Sequence, residues 1–405
     1  MPEFFDPSDR SFIDNPYPTL NALREQAPLH RDTEWNLWLV TRYADVRAVQ
    51  LNRRLGRVKQ GHALPSDLRP IRELGLVGWE PYYQVERYSL LMLEPPEHTR
   101  LRSLVNRAFT PRRVRELRDP ITAIADELLE GLKDRPSFDL LGDYAQPYSV
   151  RVIATLLGAP VGDADLLLDW SHAIVKMYEL HTTHDQARAA IVASGEFSRW
   201  VSDLMARRRA EPRDDLITAL CLAETAEGRL TDPEIVSTVV LLLNAGHEAT
   251  VNTMGNGIVA ALRNGDAWRQ LVERSVQPAT AIEEMMRFDP PLQLFERYVL
   301  AEGVEIAGTP IPPGDKVAVL FGSANRDPRR FEAPDEFRIG RGDPDHITFG
   351  AGVHFCLGAP LARLELEIAV DRLTRAFPGA RLAAEPRRED GFVIRGYETV
   401  KLARS

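Results

Sequence analysis

Cysteine is scarce in this chain, which has only Cys221 and Cys356 among its 405 residues. Two cysteines so far apart are poor evidence for a disulfide framework of the kind that secreted domains use. The first ten residues, MPEFFDPSDR, contain neither a basic start nor an apolar stretch, so we expect no signal peptide and no membrane anchor. These absences favour a cytoplasmic protein.

Long apolar runs and an excess of basic charge are also absent. The longest apolar run, within VSTVVLLLNAG, is much shorter than the roughly 20 residues that a helix needs to cross a bilayer. The formal net charge is -9, which argues against a nucleic-acid-binding protein. The sequence shows no internal repeat, no low-complexity segment and no glycine- and serine-rich linker. We therefore predict one domain over residues 1–405, with neither a membrane nor a nucleic acid as its partner.

Helical periodicity is the main pattern that is present. Apolar residues recur at the spacing of one helix face in four segments, 100–118, 149–157, 164–180 and 186–209. Strands are predicted in two places: WNLWLVTR near the start, and the 297–320 region, where short alternating runs are separated by glycine and proline turns. The sequence thus predicts a mainly α fold with small β-sheets, its β-rich regions lying near 35–43 and 297–320.

One predicted helix is unusually long. Thr231 and Glu234 form a capping-box pattern at its start, and helical spacing continues to about Gly265. At 1.5 Å per residue this helix is roughly 50 Å long. Its centre is apolar nearly all round, which indicates burial, yet it contains His247 and Glu248. A buried carboxylate must be paired or meet water, so this position is a polar network or an active site, unless the glutamate reaches the surface from the helix edge.

Two histidine patterns suggest metal sites, and neither is complete. HEATV at 247–251 begins like the zinc motif HExxH, but Val251 stands where the second histidine is required. HTTH places His181 and His184 on one helix face without an evident third ligand, which favours two solvated histidines over a metal site. The sequence also lacks a phosphate-binding GxxxxGK loop.

Cys356 lies in FGAGVHFCLG, directly before a segment with helical spacing, LGAPLARLELEIAVDRL. A thiol at a helix amino end meets free N–H groups, which stabilise the thiolate. The glycines at 350, 352 and 358 leave room for a flat, bulky group to approach the backbone. One thiolate on such a loop suits a single axial bond to a haem iron better than a four-ligand zinc site. A buried structural cysteine in a glycine turn is the alternative.

The wider pattern resembles the cytochrome P-450 family along essentially the whole chain. FGAGVHFCLGAPLAR is similar to the family's haem-binding signature, which it matches at Phe349, Gly350, Gly352, His354, Cys356, Gly358 and Ala362. Four more motifs occur in the family's order. EPPEHTRLR (94–102) resembles the entry to the family's C helix, and AGHEAT (245–250) resembles the oxygen-activation motif of its long I helix. EEMMR contains the family's ExxR motif, and NRDPRRF through PDEF (325–337) resembles its meander.

The resemblance implies haem b as cofactor, held between the long I helix and the cysteine loop that precedes the L helix. Cys356 would be the metal ligand, a thiolate that pushes electron density onto the iron. Phe349 and the backbone that follows Cys356, including Gly358, would surround the sulfur. Glu284 and Arg287 of ExxR would form a structural ion pair. The family positions that bind the haem propionates are His98, Arg102, Arg297 and His354.

The same resemblance assigns proton delivery to the centre of the I helix. Glu248 matches the acidic residue that relays protons through water during oxygen activation. The family usually has a threonine next, and this chain has Ala249. Thr250 follows, but one residue along a helix is a rotation of about 100°, so its hydroxyl need not face the same space. An ordered water or a substrate hydroxyl would replace the missing group, unless the natural reaction needs less proton delivery.

The substrate pocket of the family is formed by segments that this chain also has. The variable loop over it would be residues 60–92. The predicted lining is mostly apolar, with two amides that could orient a medium-sized oxygenated molecule. Its members are Leu241, Asn244, Ala245, Gln293, Leu294, Phe295, Phe392 and Ile394, and the alternative for each is plain packing against a helix.

Electrons must come from another protein, because nothing in the chain resembles a flavin or iron–sulfur domain. NAD(P)H would supply them through a reductase and a ferredoxin or flavodoxin. Seven arginines could form a basic patch for this acidic partner or simply a solvated helix face. They are at positions 100, 102, 107, 112, 113, 115 and 118.

The function implied is a monooxygenase that inserts one atom of O2 into a small organic molecule such as a polyketide, terpenoid or peptide. Ala249 leaves open an atypical oxidation, for example carbon–carbon or carbon–oxygen coupling, desaturation or a peroxide-driven reaction. A non-catalytic haem-binding or sensor protein is the alternative from another class, since a pocket and propionate ligands serve binding as well.

Overall fold

The computed structural model describes residues 5–59, 63–75, 77–225, 228–343 and 345–404. Most of its elements are helices, and the bounds follow in chain order. The α-helices are α1 (Arg10–Asp14), α2 (Tyr17–Gln26), α3 (Tyr43–Leu51), α4 (Arg69–Leu74), α5 (Glu80–Arg87), α6 (Glu97–Ala108), α7 (Pro111–Glu116), α8 (Arg118–Glu130), α9 (Gln146–Leu157), α10 (Ala164–Val175), α11 (His184–Ala210), α12 (Leu216–Leu222), α13 (Asp232–Arg263), α14 (Gly265–Val272), α15 (Pro278–Phe288), α16 (Phe321–Ala324) and α17 (Ala359–Ala376).

Short strands and irregular helical turns connect these helices. The strands are β1 (Leu29–Asp32), β2 (Leu37–Val40), β3 (Leu55–Gly56), β4 (Ser137–Asp139), β5 (Glu224–Thr225), β6 (Gly228–Arg229), β7 (Leu294–Val299), β8 (Val304–Ile306), β9 (Thr309–Ile311), β10 (Lys316–Leu320), β11 (Arg381–Leu382) and β12 (Lys401–Ala403). The 3-10 helices are Pro65–Asp67, Val161–Asp163, Lys176–Tyr178 and Gly352–His354, and Leu140–Ala145 is a π-helix.

Contacts within the chain divide it into two compact units, each drawn from separated stretches of sequence. Unit 1 contains residues 1–55, 121–148 and 249–405, and unit 2 contains residues 56–120 and 149–248. Helix α13 passes from unit 2 to unit 1 between Glu248 and Ala249. A single domain over residues 1–405 stays a prediction.

Unit 1 contains the sheets that the sequence predicted. Its five-stranded sheet has the order β1-β2-β10-β7-β3, in which β2 and β10 run parallel with Trp38 opposite Val317. Apolar side chains of β2, β7 and β10 are fully buried beneath it with Ile347, which lies shortly before the cysteine loop. A three-stranded sheet, β11-β12-β4, and the hairpin β8-β9 complete the unit. The sheet therefore anchors one side of the loop that carries Cys356.

The helical unit 2 is held together by α11, which packs against α5, α10 and α12. Thr183 and Gln186 form a complete capping box at the start of α11, which satisfies two of its free backbone donors. The Trp170 ring of α10 stacks on Phe197 of α11 with centroids 5.2 Å apart. This aromatic contact fixes the position of α10, which carries His172 two residues further on.

The segment 100–118 is not one helix, although its periodicity suggested so. Helix α6 ends at Ala108, and α7 begins at Pro111 with Thr110 as its cap. The Thr110 hydroxyl accepts a hydrogen bond from the Arg113 N–H at 3.2 Å. A proline is tolerated only in the first turn of a helix, so it ends the preceding helix here.

Helix α13 has nearly the predicted bounds. It starts after Thr231, whose N–H donates to Glu234 Oε2 at 2.8 Å, which is one half of the predicted capping box. It ends at Arg263, two residues before Gly265, because Asn264 caps the next helix. Among the described residues, no helix combines the length and the apolar composition that a membrane span requires.

Candidate functional site

The loop that carries Cys356 is held by backbone hydrogen bonds. The Cys356 N–H donates to the Phe349 carbonyl at 3.0 Å, and the Phe355 N–H donates to the Gly352 carbonyl at 3.1 Å. Gly358 is the N-cap of the 18-residue helix α17, whose first turn contains Pro360 as predicted. The half-buried Cys356 therefore lies at the amino end of a long helix, where N–H groups favour a thiolate.

Two of the three loop glycines have conformations that favour glycine. Gly350 and Gly352 have φ of 68° and 72°, in the left-handed region that costs other residues about 1–2 kcal/mol. A Cβ on Gly352 would also overlap the backbone carbonyl of Gln50, at the end of α3. Gly358 differs, with φ of -80° and a hypothetical Cβ at an ordinary 3.9 Å from Cys356 Sγ. Neither the backbone conformation nor the surrounding protein atoms therefore require glycine at position 358, and its role in holding a cofactor stays a prediction.

Phe349 is fixed by a charge network that the sequence analysis did not find. The Arg363 guanidinium lies 4.5 Å from the Phe349 ring centroid and donates two hydrogen bonds, of 2.7 and 3.0 Å, to Glu283. Nε2 of His346 is 3.0 Å from the same carboxylate. Although burial opposes it, hydrogen bonding to His346 and Arg363 lowers the pKa of Glu283 to about 2. The carboxylate is thus charged and orients the cation above Phe349.

The ExxR residues Glu284 and Arg287 meet in a buried ion pair. The two hydrogen bonds between them measure 2.7 and 2.9 Å, and both side chains are essentially inaccessible. Arg341 donates to the same carboxylate at 3.0 Å, and Arg287 also donates to the Asn325 carbonyl at 2.8 Å. These contacts join α15 to the meander segment of unit 1.

A buried cation and an amide lie together in unit 1. Arg297 of β7 is only 2% exposed, stacks 4.4 Å from the Phe295 ring centroid, and donates to Gln50 Oε1 at 3.4 Å. Nε2 of Gln50 is buried, and the described residues supply no acceptor for it. His354 is half-buried in the 3-10 helix before Cys356. A buried donor without an acceptor is costly, so this place fits an anionic or carbonyl-bearing ligand.

The other two predicted propionate residues belong to unit 2. His98 is buried in the first turn of α6, and Arg102 follows four residues later, half-buried. Residues four apart lie on one helix face. The structure therefore brings these two together on α6, and it brings Arg297 and the cysteine loop together in unit 1.

One strip of α13 is accessible while its other faces are buried. Ala245 and Ala249 are exposed and Leu241 is half-buried, at the i, i+4, i+8 spacing of a single face. Leu243 and His247 are fully buried. Asn244 is 2% exposed, and neither polar atom of its amide has a partner among the described residues. The strip with its buried amide is a candidate contact surface for a small organic molecule.

Glu248 does not reach the surface from the edge of α13. Only 14% of its side chain is exposed, and Oε1 lies 3.4 Å from Nε2 of His172 on α10. His247 is buried beside them, its ring centroid 5.7 Å from that of His172. The sequence around Glu248 gives no sign of His172, because the helix of His172 lies about 75 positions earlier in the chain, as the residue numbers show.

Thr250 and Ala249 have different surroundings, as the 100° rotation suggested. Thr250 is buried, and its side chain hydrogen-bonds Glu365 of α17. Burial raises the pKa of Glu365 well above its usual value, with the Thr250 hydrogen bond opposing the shift. The Thr250 hydroxyl is therefore engaged with a buried carboxyl group, away from the accessible strip to which Ala249 belongs.

The remaining predicted lining residues make core contacts. The Gln293 amide donates to the Pro290 carbonyl at 2.8 Å, and the Phe392 ring lies 5.0 Å from that of Phe12. Leu294 is buried opposite Leu320, and the half-buried Ile394 forms a bridge with Leu292. These contacts do not support the prediction that these residues line a pocket. Part of the predicted loop over the pocket, residues 60–62 and 76, lies outside the described residues.

Comparison with known proteins agrees with this geometry. A family model described as Cytochrome P450 matches residues 279–389. The Vitamin D(3) 25-hydroxylase of Pseudonocardia autotrophica is 39% identical over 376 residues, 92% of this chain and 89% of that protein. The polyketide biosynthesis cytochrome P450 PksS of Bacillus subtilis (strain 168) is 34% identical over 391 residues, 94% and 93% of the two chains.

Solved structures confirm the predicted mainly α fold with small sheets. P450BioI, in complex with an acyl carrier protein ligated to hexadec-9Z-enoic acid, superimposes with a TM-score of 0.90 at 29% identity, over 98% of this chain and 99% of that one. The structure of PksS gives a TM-score of 0.89 at 34% identity, over 99% and 100% of the two chains. Fold, order of motifs and overall similarity agree, and the chain belongs to the cytochrome P450 family of monooxygenases, which are oxidoreductases.

Proposed function

We propose that this protein inserts one oxygen atom of O2 into a medium-sized secondary metabolite, and that the thiolate of Cys356 would hold haem b. The observation that carries the proposal is the position of Cys356, half-buried at the amino end of α17 on a loop that glycine conformations hold. The family uses haem and O2, and bound haem supplies oxygen activation and transfer at its iron. The chain's own residues bind that group, orient the substrate and move protons.

The residues of unit 1 fit haem. Gly352 lets the cysteine loop lie against the end of α3, where any side chain would overlap the Gln50 carbonyl. The buried guanidinium of Arg297 and the unsatisfied Nε2 of Gln50 suit a propionate. Phe349, held under Arg363, would shield the sulfur from water. His98, Arg102 and His354 remain the further propionate partners that the family resemblance implies.

On α13, we assign substrate contact to the accessible strip of Leu241, Ala245 and Ala249. Its alanines leave space for a bulky molecule, and the Asn244 amide offers a donor and an acceptor that the described residues do not use. A buried amide of this kind gains most from a polar group on the ligand. A polyketide, terpenoid or peptide that carries hydroxyl or carbonyl groups meets this requirement.

The relatives support this class of substrate. One is named for polyketide biosynthesis, one as a vitamin D(3) hydroxylase and one for biotin biosynthesis. We assign to Glu248 the delivery of protons during oxygen activation, with an ordered water or a substrate hydroxyl in place of the threonine that Ala249 replaces.

Electrons would come from NAD(P)H through a reductase and a ferredoxin or flavodoxin. The exposed arginines of the α6–α8 segment are Arg107, Arg112, Arg115 and Arg118. Such a cluster attracts an acidic partner although the protein as a whole is acidic.

The axial ligand is tested by reducing the haem-loaded protein under carbon monoxide. We expect the long-wavelength Soret maximum that distinguishes thiolate from imidazole ligation. Cys356→His should move it to the position found in globins, while Cys221→Ser, a change in unit 2, should leave it unchanged. A wild-type spectrum of globin type in fresh protein would contradict the proposal.

The substrate class is tested by screening a library of oxygenated metabolites for compounds that shift the Soret band of the ferric protein. We expect the ligands found to carry a hydroxyl or carbonyl group, and Asn244→Leu to weaken their binding about tenfold, which corresponds to one lost hydrogen bond. Hits that are pure hydrocarbons, bound equally well by the variant, would contradict the role of Asn244.

A further inference from the structure

We propose that His172, His247 and Glu248 form a binding site for one Zn²⁺ ion in unit 2. The ligand atoms of the three side chains all lie within 4.8 Å of one another. Two are contributed by adjacent residues of α13, and the third comes from α10. The second histidine that the incomplete HExxH motif lacks is thus supplied by another helix.

The state of His247 points to a ligand. Its side chain is 0% exposed, and neither ring nitrogen has a hydrogen-bond partner among the described residues. An unsatisfied buried imidazole is costly, and coordination of a metal would satisfy it.

The donor set selects the ion. Two imidazoles and one carboxylate suit Zn²⁺, which accepts three protein ligands and a water in tetrahedral geometry. Bonds of about 2.0–2.2 Å at the tetrahedral angle place the ligand atoms of one ion roughly 3.3–3.6 Å from each other. Nε2 of His172 and Oε1 of Glu248 already satisfy this at 3.4 Å, and a ring nitrogen of His247 lies within 4.8 Å of both.

The site is open to solvent on one side. The His172 side chain is 39% exposed, whereas that of Glu248 is 14% exposed and His247 is inaccessible. An ion could therefore bind first at His172 and then engage the two inner ligands. Because Glu248 is a ligand, Zn²⁺ would remove it from proton delivery, a consequence that rests on the proposed function. Zn²⁺ would then inhibit turnover without displacing haem.

The direct test is equilibrium dialysis of the chelator-treated holoenzyme against Zn²⁺, with metal content measured by mass spectrometry. We expect one Zn²⁺ per chain for the wild type and at least about tenfold weaker binding for His172→Ala and for Glu248→Gln. His181→Ala removes an exposed histidine outside the cluster and should bind like the wild type. X-ray absorption at the zinc edge should show only nitrogen and oxygen ligands.

Two outcomes would overturn the site: no stoichiometric Zn²⁺ in the wild type, or equal binding by the wild type and both cluster variants. A turnover assay separates this from the proposed function. Zn²⁺ should inhibit the wild type and spare His172→Ala. Stoichiometric binding by the three residues without inhibition would leave the metal site intact and contradict proton delivery by Glu248.

Discussion

At the scale of single residues, Ala249 and Thr250 show how one position along a helix changes the surroundings of a side chain. Ala249 belongs to the accessible strip of α13, whereas the Thr250 side chain hydrogen-bonds the buried Glu365. A hydroxyl introduced at position 249 would lie on the accessible strip, whereas the hydroxyl of Thr250 does not.

We predict that Ala249→Thr changes the coupling of oxygen use to product formation. If a substrate hydroxyl replaces the missing threonine, an analogue without that hydroxyl will uncouple the wild type more than the variant, measured as product formed per NAD(P)H consumed. Thr250→Val is the matched control and should leave coupling unchanged, because its hydroxyl faces Glu365. Equal uncoupling of the wild type and Ala249→Thr would exclude substrate assistance.

A second residue, Glu86 of α5, makes the stability of the protein depend on pH. Its side chain is buried and accepts a hydrogen bond from the Tyr178 hydroxyl at 2.8 Å. Burial raises the pKa of Glu86 from 4.5 to about 7, with Tyr178 and Arg57 opposing the shift. The folded state therefore holds the proton more tightly than the unfolded state. The contribution of Glu86 to the free energy of unfolding is complete below pH 4.5 and is lost as the pH rises toward 7.

We predict that Glu86→Gln removes this loss. The wild type should lose about 3 kcal/mol of unfolding free energy from this group between pH 4.5 and pH 7, and the variant should not. Urea unfolding of both proteins at several pH values measures the difference. Glu80→Gln, at an exposed position of the same helix, should follow the wild type. Parallel pH profiles for Glu86→Gln and the wild type would show that the buried carboxyl does not titrate in this way.

At the scale of elements, the cysteine loop depends on two glycines for different reasons. Both have positive φ, but only at Gly352 would a Cβ overlap backbone, whereas at Gly350 the nearest atom, Gln50 Oε1, is 3.5 Å away. We predict that Gly350→Ala costs about 1–2 kcal/mol from the conformation alone. Gly352→Ala should cost clearly more and release haem, as measured by unfolding and by haem content. Equal effects of the two variants would mean that contact with α3 does not hold the loop.

The elements also show what the sequence can and cannot predict. Helices α13 and α17 were predicted because periodicity over many turns is a strong signal, and strand β2 because a short run of apolar and β-branched or aromatic residues is typical of a strand. Strand β1 and the β4-β12 pairing were missed, since three or four half-exposed residues carry no period. Cys356 was found through its local motif, whereas the contacts of His172 with Glu248 and of Arg363 with Glu283 join distant parts of the chain and leave no local pattern.

At the scale of the whole molecule, the acidic net charge of -9 contrasts with the arginines of the α6–α8 segment. We predict that reduction by an acidic ferredoxin slows severalfold as salt rises from about 0.01 M to 0.3 M, because the screening length then falls from roughly 30 Å to less than 8 Å. The double variant Arg107→Gln and Arg115→Gln should flatten this dependence. Arg188→Gln, which removes an exposed arginine from α11, should not. A reduction rate indifferent to salt would exclude electrostatic docking.

The parallel pairing of β2 with β10 has a consequence for biosynthesis. Trp38 and Val317 are neighbours in the sheet, although by residue number 279 positions separate them. A ribosome that adds about 10 residues per second needs roughly half a minute to make that stretch. During this time the nascent β2 exposes an apolar edge with no strand to join, so the five-stranded sheet cannot be completed until the last third of the polypeptide emerges.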